Sequence, residues 1–116
     1  LRVQEAATAA ARPGAACRAA WDAAREAAAE TGLAAHFMGH GAGQVPYVGH
    51  GIGIELDELP VLTGSGLGLE PGMVFALEPK FVLPGAGAVG IENTWVVTSD
   101  GVERLTLAPD AVTIVD

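Results

Sequence analysis

The sequence MVFALEPKFVLPGAGAVGIENTWVVT, residues Met73 to Thr98, consists of two apolar runs around a turn. Apolar and smaller residues alternate from Met73 to Val82, and β-branched and aromatic residues dominate from Ala88 to Thr98. Between the runs, Leu83 to Gly87 contains a Pro-Gly pair, which is typical of turns. The pattern predicts a β-hairpin with its centre near Gly85.

Two carboxylates face each other in this predicted hairpin. Glu78 and Glu92 are each seven residues from Gly85, so the hairpin places them opposite one another on one face. Facing carboxylates repel each other, by about 4 kcal/mol at ~4 Å and an effective dielectric constant of ~20. A shared proton or a bound cation would remove this repulsion. Alternatively, both side chains splay into water at a solvated edge, or the register slips by one residue and separates them.

A third possible metal ligand, His50, precedes the hairpin in the segment Gly49-His50-Gly51-Ile52-Gly53. The sequence predicts a strand over Val48–Leu56 that ends in an acidic group containing Asp57. Upstream, Leu33–Tyr47 is a connection punctuated by glycine that contains two further histidines. Of these, His40 is assigned to substrate binding, although an ordinary loop histidine is the alternative.

The N-terminal part of the chain predicts two helices separated by Pro13-Gly14. They cover Leu1–Ala11 and Ala15–Thr31, and Gly32 follows the second helix as its C-terminal cap. Trp21 lies on the apolar side of the second helix, where it is expected to anchor the helix on a sheet.

The C-terminal part predicts further strands. A turn at Asp100-Gly101 leads into a strand over Val102–Leu107, and Ala111–Val115 is a possible additional strand. Helices followed by strands that hairpins connect predict an α+β domain, with the helices packed on one face of a mainly antiparallel sheet.

Length and charge restrict the class of protein. The 116 residues fit one small domain, and 50% of them are hydrophobic. The net charge of -8 argues against nucleic acid or an anionic membrane as a partner. A lone cysteine, Cys17, excludes an intrachain disulfide and suits a reducing compartment, so a cytoplasmic location is expected. No apolar run is long enough for a membrane span.

Three ordered segments resemble the pita-bread metallopeptidases, the family of methionine aminopeptidase, Xaa-Pro aminopeptidase, prolidase and creatinase. These segments are Gly49-His50-Gly51-Ile52-Gly53, Leu69 to Pro79, and Gly90-Ile91-Glu92-Asn93-Thr94. The resemblance covers nearly the whole chain. It implies that residues 1–116 are a single segment, the C-terminal half of a pita-bread catalytic domain with a curved, mainly antiparallel sheet. Residues 1–32 then supply helices, and residues 48–116 supply the sheet that carries the motifs.

The resemblance also implies a dinuclear metal centre. His50 and Glu78 would bind one metal ion, and Glu92 would bridge both. Manganese, cobalt, zinc and iron(II) all suit such ligands. The family's other ligands are two aspartates that come from the preceding half, which this sequence lacks. The chain is therefore expected to hold only part of the site, with the missing half or another copy supplying the rest. The helix that begins at Leu1 without an N-cap also suggests a longer protein.

Two positions depart from the family pattern. Asp57 stands where the peptidases usually carry a histidine that contacts substrate and assists proton transfer, and Pro46 stands where the proline-specific members carry another. A carboxylate is a poor donor to an oxyanion unless its pKa is raised well above ~4. Asp57 is therefore predicted to act as a catalytic base or to bind a substrate cation. The alternative is an acidic surface residue at a strand end.

The resemblance implies a metal-dependent hydrolase of the Xaa-Pro aminopeptidase or dipeptidase type that acts on a peptide or dipeptide. A non-catalytic module that binds peptides or partners is the main alternative. A third possibility is hydrolysis of a non-peptide C–N bond, as in the creatinase branch, which works without the metal centre. Half of a two-lobed sheet would expose an edge and an apolar face, so a homo-oligomer is expected.

Overall fold

The computed structural model describes residues 1–112, 114 and 115. Two α-helices come first and are followed by two short 3-10 turns at Ala34–His36 and Gly41–Gly43. Seven strands follow in the described part of the chain. The helices are α1 (Arg2–Ala10) and α2 (Cys17–Glu30); the strands are β1 (Tyr47–Gly51), β2 (Glu58–Thr63), β3 (Val74–Leu77), β4 (Lys80–Leu83), β5 (Gly87–Gly90), β6 (Asn93–Val97) and β7 (Val102–Arg104).

The strands form two antiparallel sheets. The larger has the order β2-β1-β3-β6-β7, and β4 and β5 form a separate two-stranded ladder. Helix α2 packs against β1 and β2. The predicted α+β class with a mainly antiparallel sheet is confirmed. Neither helix in the described part of the chain is long and apolar enough to cross a membrane.

The hairpin register agrees with the prediction. Leu77 pairs with Asn93 in the β3–β6 ladder, and Lys80 pairs with Gly90 in the β4–β5 ladder. Both pairs are symmetric about Gly85, so one register runs through both ladders.

The predicted continuous strands over Met73–Val82 and Ala88–Thr98 are wrong in extent, because each is interrupted where its glutamate lies. Glu78 and Pro79 separate β3 from β4, while Ile91 and Glu92 separate β5 from β6. Pro79 has no N–H to donate to a ladder. Its carbonyl oxygen still accepts a hydrogen bond of 3.3 Å from the Ile91 N–H, which joins the two arms of the hairpin across the interruption.

The predicted strand Val48–Leu56 is wrong at its end, because β1 stops at Gly51. Strand β2, which contains Pro60, was not predicted. Proline is unfavourable inside a sheet but tolerated on an edge strand, and β2 lies at the edge. The position of β2 in the sheet is therefore what makes the strand possible.

The last predicted strands also differ from the structure. The predicted strand Val102–Leu107 is shorter than expected, because β7 ends at Arg104. The possible strand Ala111–Val115 includes Thr113, which lies outside the described residues; the described residues of that stretch are not in a strand.

Small residues let the two helices pack closely. The buried stripe of α2 is Cys17, Ala20, Ala24 and Ala28, and it joins Ala7 of α1 in the core. The largest fully buried side chain is Phe75 of β3. Trp21 is half-buried, and its ring stacks on Phe37 at a centroid distance of 6.1 Å. Phe37 in turn contacts Phe81 of β4, so Trp21 reaches a strand through Phe37.

Candidate metal centre

One predicted ligand lies on a strand, and the other two lie directly beside the ends of neighbouring strands. His50 of β1 pairs with Ala76 of β3, and Ala76 pairs with Thr94 of β6. Glu78 follows Ala76 by two residues, and Glu92 precedes Thr94 by two residues. The continuous hairpin register thus sets the backbone of Glu78 opposite that of Glu92. His50 lies diagonally opposite Glu78 across the ladder between β1 and β3. In a regular antiparallel pair, residues in this diagonal relation are about 7–8 Å apart.

Glycines on both sides of His50 allow the strands to come close at this point. A Cβ atom at Gly49 would collide with the carbonyl oxygen of Ala76, and one at Gly51 would collide with that of Leu59. The β1–β2 ladder is also irregular on both sides of His50. Such irregularities change the direction in which a side chain points. The Gly-His-Gly motif therefore has a steric reason that is independent of any chemistry.

The His50 imidazole is 13% exposed and has two polar neighbours. Its Nδ1 atom lies 3.1 Å from the carbonyl oxygen of Gly51 and 3.8 Å from Oδ1 of Asp57. Because a carbonyl oxygen only accepts hydrogen bonds, Nδ1 is the donor in this contact, and in the neutral form of the ring Nε2 then keeps its lone pair. That is the tautomer with a nitrogen available to a metal ion.

Asp57 lies beside His50 and points largely into solvent, since its side chain is 66% exposed. The structure thus brings the predicted catalytic carboxylate next to one predicted ligand. Its exposure leaves it accessible to a substrate, and its role stays a prediction.

Glu78 is the most enclosed of the predicted carboxylates. Its side chain is 17% exposed, and Oε2 lies 2.5 Å from Nζ of Lys80, which is 38% exposed. The Glu78 N–H donates to the carbonyl oxygen of Val48 at 2.9 Å, which joins β1 to the end of β3. Sequence reasoning missed Lys80. The available signal was that it is the only lysine of the chain and follows Glu78 by two residues.

Glu92 is exposed and borders a groove of about 600 Å³ between the hairpin and the C-terminal segment. The next residue, Asn93, is only 3% exposed. Its Nδ2 donates to Oε1 of Gln4 at 2.9 Å and to Oδ1 of Asp110 at 3.0 Å. A buried amide therefore ties the backbone beside Glu92 to α1 and to the C-terminal segment.

His40 lies in the loop before β1 and is exposed. Its ring stacks on that of His36 with a centroid distance of 4.9 Å, and the two Nδ1 atoms are 3.1 Å apart. The contacts of the described residues do not link His40 to the predicted ligands, so its assignment to substrate binding stays a prediction.

The donor types fit a divalent transition metal, because imidazole and carboxylate are suitable ligands. The strand register also fits, since it places His50 on β1, Glu78 directly after β3 and Glu92 directly before β6. Yet within residues 1–112, 114 and 115, no group of three or more His, Cys, Asp and Glu side chains is close enough to hold a metal ion. The ligand assignments therefore stay predictions.

Comparison with known proteins gives a consistent result. The family model for metallopeptidase family M24 matches residues 1–99. A probable dipeptidase PepE of Mycobacterium tuberculosis is 38% identical over 115 residues, which is 98% of this chain and 29% of that protein. The chain therefore spans less than a third of the length of the relatives it matches.

Solved structures agree with this assignment. Dipeptidase PepE from Mycobacterium ulcerans superposes with a TM-score of 0.83 at 38% identity, over 93% of this chain and 28% of that one. An X-Pro aminopeptidase from Thermotoga maritima superposes with a TM-score of 0.87 at 31% identity, over 97% of this chain and 30% of that one. The pita-bread resemblance is confirmed, and the chain belongs to metallopeptidase family M24.

Proposed function

We propose that the protein containing this chain is a metal-dependent hydrolase of the Xaa-Pro dipeptidase or aminopeptidase type. It cleaves a peptide bond near the N-terminus of a peptide or dipeptide. The observation that supports the proposal is the register of an M24 domain that places His50 on β1 and sets Glu78 and Glu92 at the ends of the adjacent strands β3 and β6. Facing carboxylates are unfavourable in a sheet, and a bound cation compensates them.

His50 and Glu78 bind one metal ion in this proposal, and Glu92 bridges it to a second. The ions are divalent, with manganese, cobalt, zinc and iron(II) as candidates. When bound, such ions polarise the scissile carbonyl and lower the pKa of a water molecule. The contact between His50 Nδ1 and the Gly51 carbonyl oxygen supports the role of His50, because it holds the imidazole with Nε2 available.

In this proposal Asp57 interacts directly with the substrate. A carboxylate 3.8 Å from His50 and mostly open to solvent is suited to pairing with a substrate amine or accepting a proton. It is not suited to donating a hydrogen bond to an oxyanion at neutral pH. In this proposal Asp57 therefore accepts a proton or binds a cationic group of the substrate, and His40 makes a further contact with the substrate.

The remaining ligands come from outside residues 1–116. We propose that these residues form the C-terminal half of the catalytic domain, with helices in 1–32 and the sheet in 48–116. The missing half, or another copy of the chain, completes the dinuclear site. A cytoplasmic location and a homo-oligomer remain predictions of the same proposal.

The test uses the full-length protein with Mn²⁺ or Co²⁺ and a panel of X-Pro dipeptides. Wild-type protein is expected to bind metal and hydrolyse at least one dipeptide. Replacing His50, Glu78 or Glu92 by alanine should remove a metal ion and lower activity by several orders of magnitude. Glu26→Ala is the matched control, because Glu26 is an exposed glutamate on α2. Absence of bound metal in the full-length wild-type protein would contradict the proposal.

A non-catalytic peptide-binding module is the second candidate. It is favoured by the lack, among the described residues, of a group of three donors that could hold a metal ion. Asp57 and Pro46, in place of the auxiliary histidines, favour it as well. In that case the full-length protein should bind peptides equally well with and without a chelator, and it should hydrolyse none of them.

A further inference from the structure

We infer that Lys80 is a positioning residue for Glu78, holding one carboxylate oxygen so that the other is presented to the metal ion. The inference rests on the proposed function, since it takes Glu78 as a ligand. It adds a residue that lies outside the ligand set and that no motif of the sequence points to.

The contact itself is specific to one oxygen. Nζ of Lys80 lies 2.5 Å from Oε2 of Glu78, as a charge-assisted hydrogen bond. The contacts of the described residues place no polar partner on Oε1. A carboxylate with one oxygen held by a cation and the other free is arranged to bind a metal ion through a single oxygen. Outer hydrogen bonds of this kind orient the ligands of metal sites.

The backbone around Lys80 is held on both sides. The carbonyl oxygen of Lys80 accepts a hydrogen bond of 2.9 Å from the Met38 N–H. Across the ladder, Lys80 pairs with Gly90, where an added Cβ atom would lie 2.7 Å from Cβ of Lys80. Because Gly90 has no side chain, there is room for Cβ of Lys80 at this point of the ladder.

Charge supports a dedicated role for Lys80. The chain has a net charge of -8, and Lys80 is its only lysine. Among the other ion pairs of the described residues, Arg2–Glu30 lies on the helices, and Arg104–Asp110 includes neither Glu78 nor Glu92. Lys80 therefore supplies a positive charge beside Glu78 without occupying both of its carboxylate oxygens.

Removing the ammonium group should leave the Glu78 side chain free to rotate and increase its repulsion with Glu92. Loss of an outer-shell partner of a metal ligand weakens metal binding by about 10–100-fold in known sites. Lys80→Met keeps the apolar length of the side chain and removes only the charge and the donors. Lys80→Arg keeps the charge and should restore part of the affinity, although the guanidinium geometry differs.

The experiment measures the Co²⁺ affinity of the full-length protein by competition with a chelator, together with the visible absorption spectrum of bound Co²⁺. We expect Lys80→Met to weaken Co²⁺ binding about 10–100-fold and to change the spectrum, with partial recovery in Lys80→Arg. Arg2→Met is the control, because it removes an ion pair of 3.0 Å elsewhere and should change neither readout.

The possible outcomes separate the two hypotheses. Wild-type protein that binds no Co²⁺ contradicts the proposed function itself. Wild-type binding with an unchanged affinity and spectrum in Lys80→Met overturns the role of Lys80 alone. A tighter affinity in Lys80→Met also overturns it, since Lys80 would then compete with the metal ion for Glu78. Loss of affinity without recovery in Lys80→Arg counts against a role for the positive charge.

Discussion

His50 depends on its two glycine neighbours for its place in the sheet. Backbone carbonyl oxygens of β3 and of β2 occupy the space that side chains at Gly49 and Gly51 would fill. Strands that approach this closely hold the imidazole near the end of β3, where Glu78 follows. The glycines are therefore a packing requirement of the site as well as a motif of the family.

Gly49→Ala tests this requirement. The added methyl group would collide with the carbonyl oxygen of Ala76, so β1 and β3 must separate. We expect the free energy of unfolding to fall by about 1–3 kcal/mol in urea denaturation. Gly64→Ala is the control, because nothing lies within 4 Å of a Cβ atom there. Equal effects of the two substitutions would contradict the steric explanation.

Asp57→Asn tests the role of the carboxylate beside His50. Asp57 is 66% exposed, so we expect almost no change in stability. If it accepts a proton or binds the substrate amine, kcat/KM of the full-length enzyme should fall by at least about 100-fold, with metal affinity unchanged. Glu55→Gln, a nearby exposed acid, is the control. Activity that survives Asp57→Asn would assign Asp57 to the surface.

Cys17 is fully buried, and desolvation by that burial raises the pKa of its thiol, outweighing a hydrogen bond to Ser65. The folded protein therefore keeps the proton to a higher pH than the unfolded chain, whose ordinary value is 9.0. The stabilisation from Cys17 is fully present below that pH and decreases above it. At pH 8, a thiol reagent should label Cys17 slowly in native protein and rapidly in urea; rapid native labelling would contradict this.

The hairpin at residues 73–98 contributes to the hydrophobic core and also carries two of the predicted metal ligands. Its ladders share one register, so the backbones of Glu78 and Glu92 lie opposite each other at the gap between the ladders. Outside the gap, β3 contributes Phe75 and Leu77 to the core. Beyond Glu92, Asn93 joins the hairpin to α1 through Gln4. Residues 78–79 and 91–92 thus lie outside regular strand pairing, while the ladders on both sides of them keep the hairpin in place.

Asn93→Ala tests the anchor beside Glu92. The substitution leaves Gln4, which is 4% exposed, without its amide partner. A buried polar group that loses its partner costs about 1–3 kcal/mol, so thermal unfolding should begin at a lower temperature. Glu103→Ala, at an exposed position of β7, is the control and should have little effect. A similar melting temperature for both variants would show that the amide network contributes little.

The molecule as a whole leaves many large apolar side chains in solvent. Ile54 is 100% exposed and Leu56 81% exposed in the loop between β1 and β2, while Leu107 is 92% exposed near the C-terminal segment. The sheet also has open edges at β2 and β7 among the described strands. Exposed apolar surface and unpaired edges favour association with another surface.

We therefore expect residues 1–116 to associate when expressed alone. Sedimentation velocity over a range of concentrations should show species larger than a monomer. Replacing Ile54 and Leu56 by aspartate should shift the distribution toward the monomer, because charge disfavours burial of that loop. A single sharp monomer peak for the unaltered chain at all concentrations would contradict the expectation.

The sequence by itself determined the helices, the hairpin and its register, because alternation and turn residues act over a few neighbouring positions. It also determined the family, since the motifs, their order and their separations can be read directly from the sequence. The extent of the strands was not predictable in this way. Proline is unfavourable inside a sheet, and only the edge position of β2 makes Pro60 acceptable there.

The tertiary structure decided which side chains meet. Asp57 beside His50 and Asn93 against Gln4 both depend on how separate segments pack. Local propensity carries no information on such contacts, because the free energy that forms them comes from burying the whole core. The placement of the predicted ligands along the sheet thus follows from short-range pattern, while contacts between distant segments follow from long-range packing.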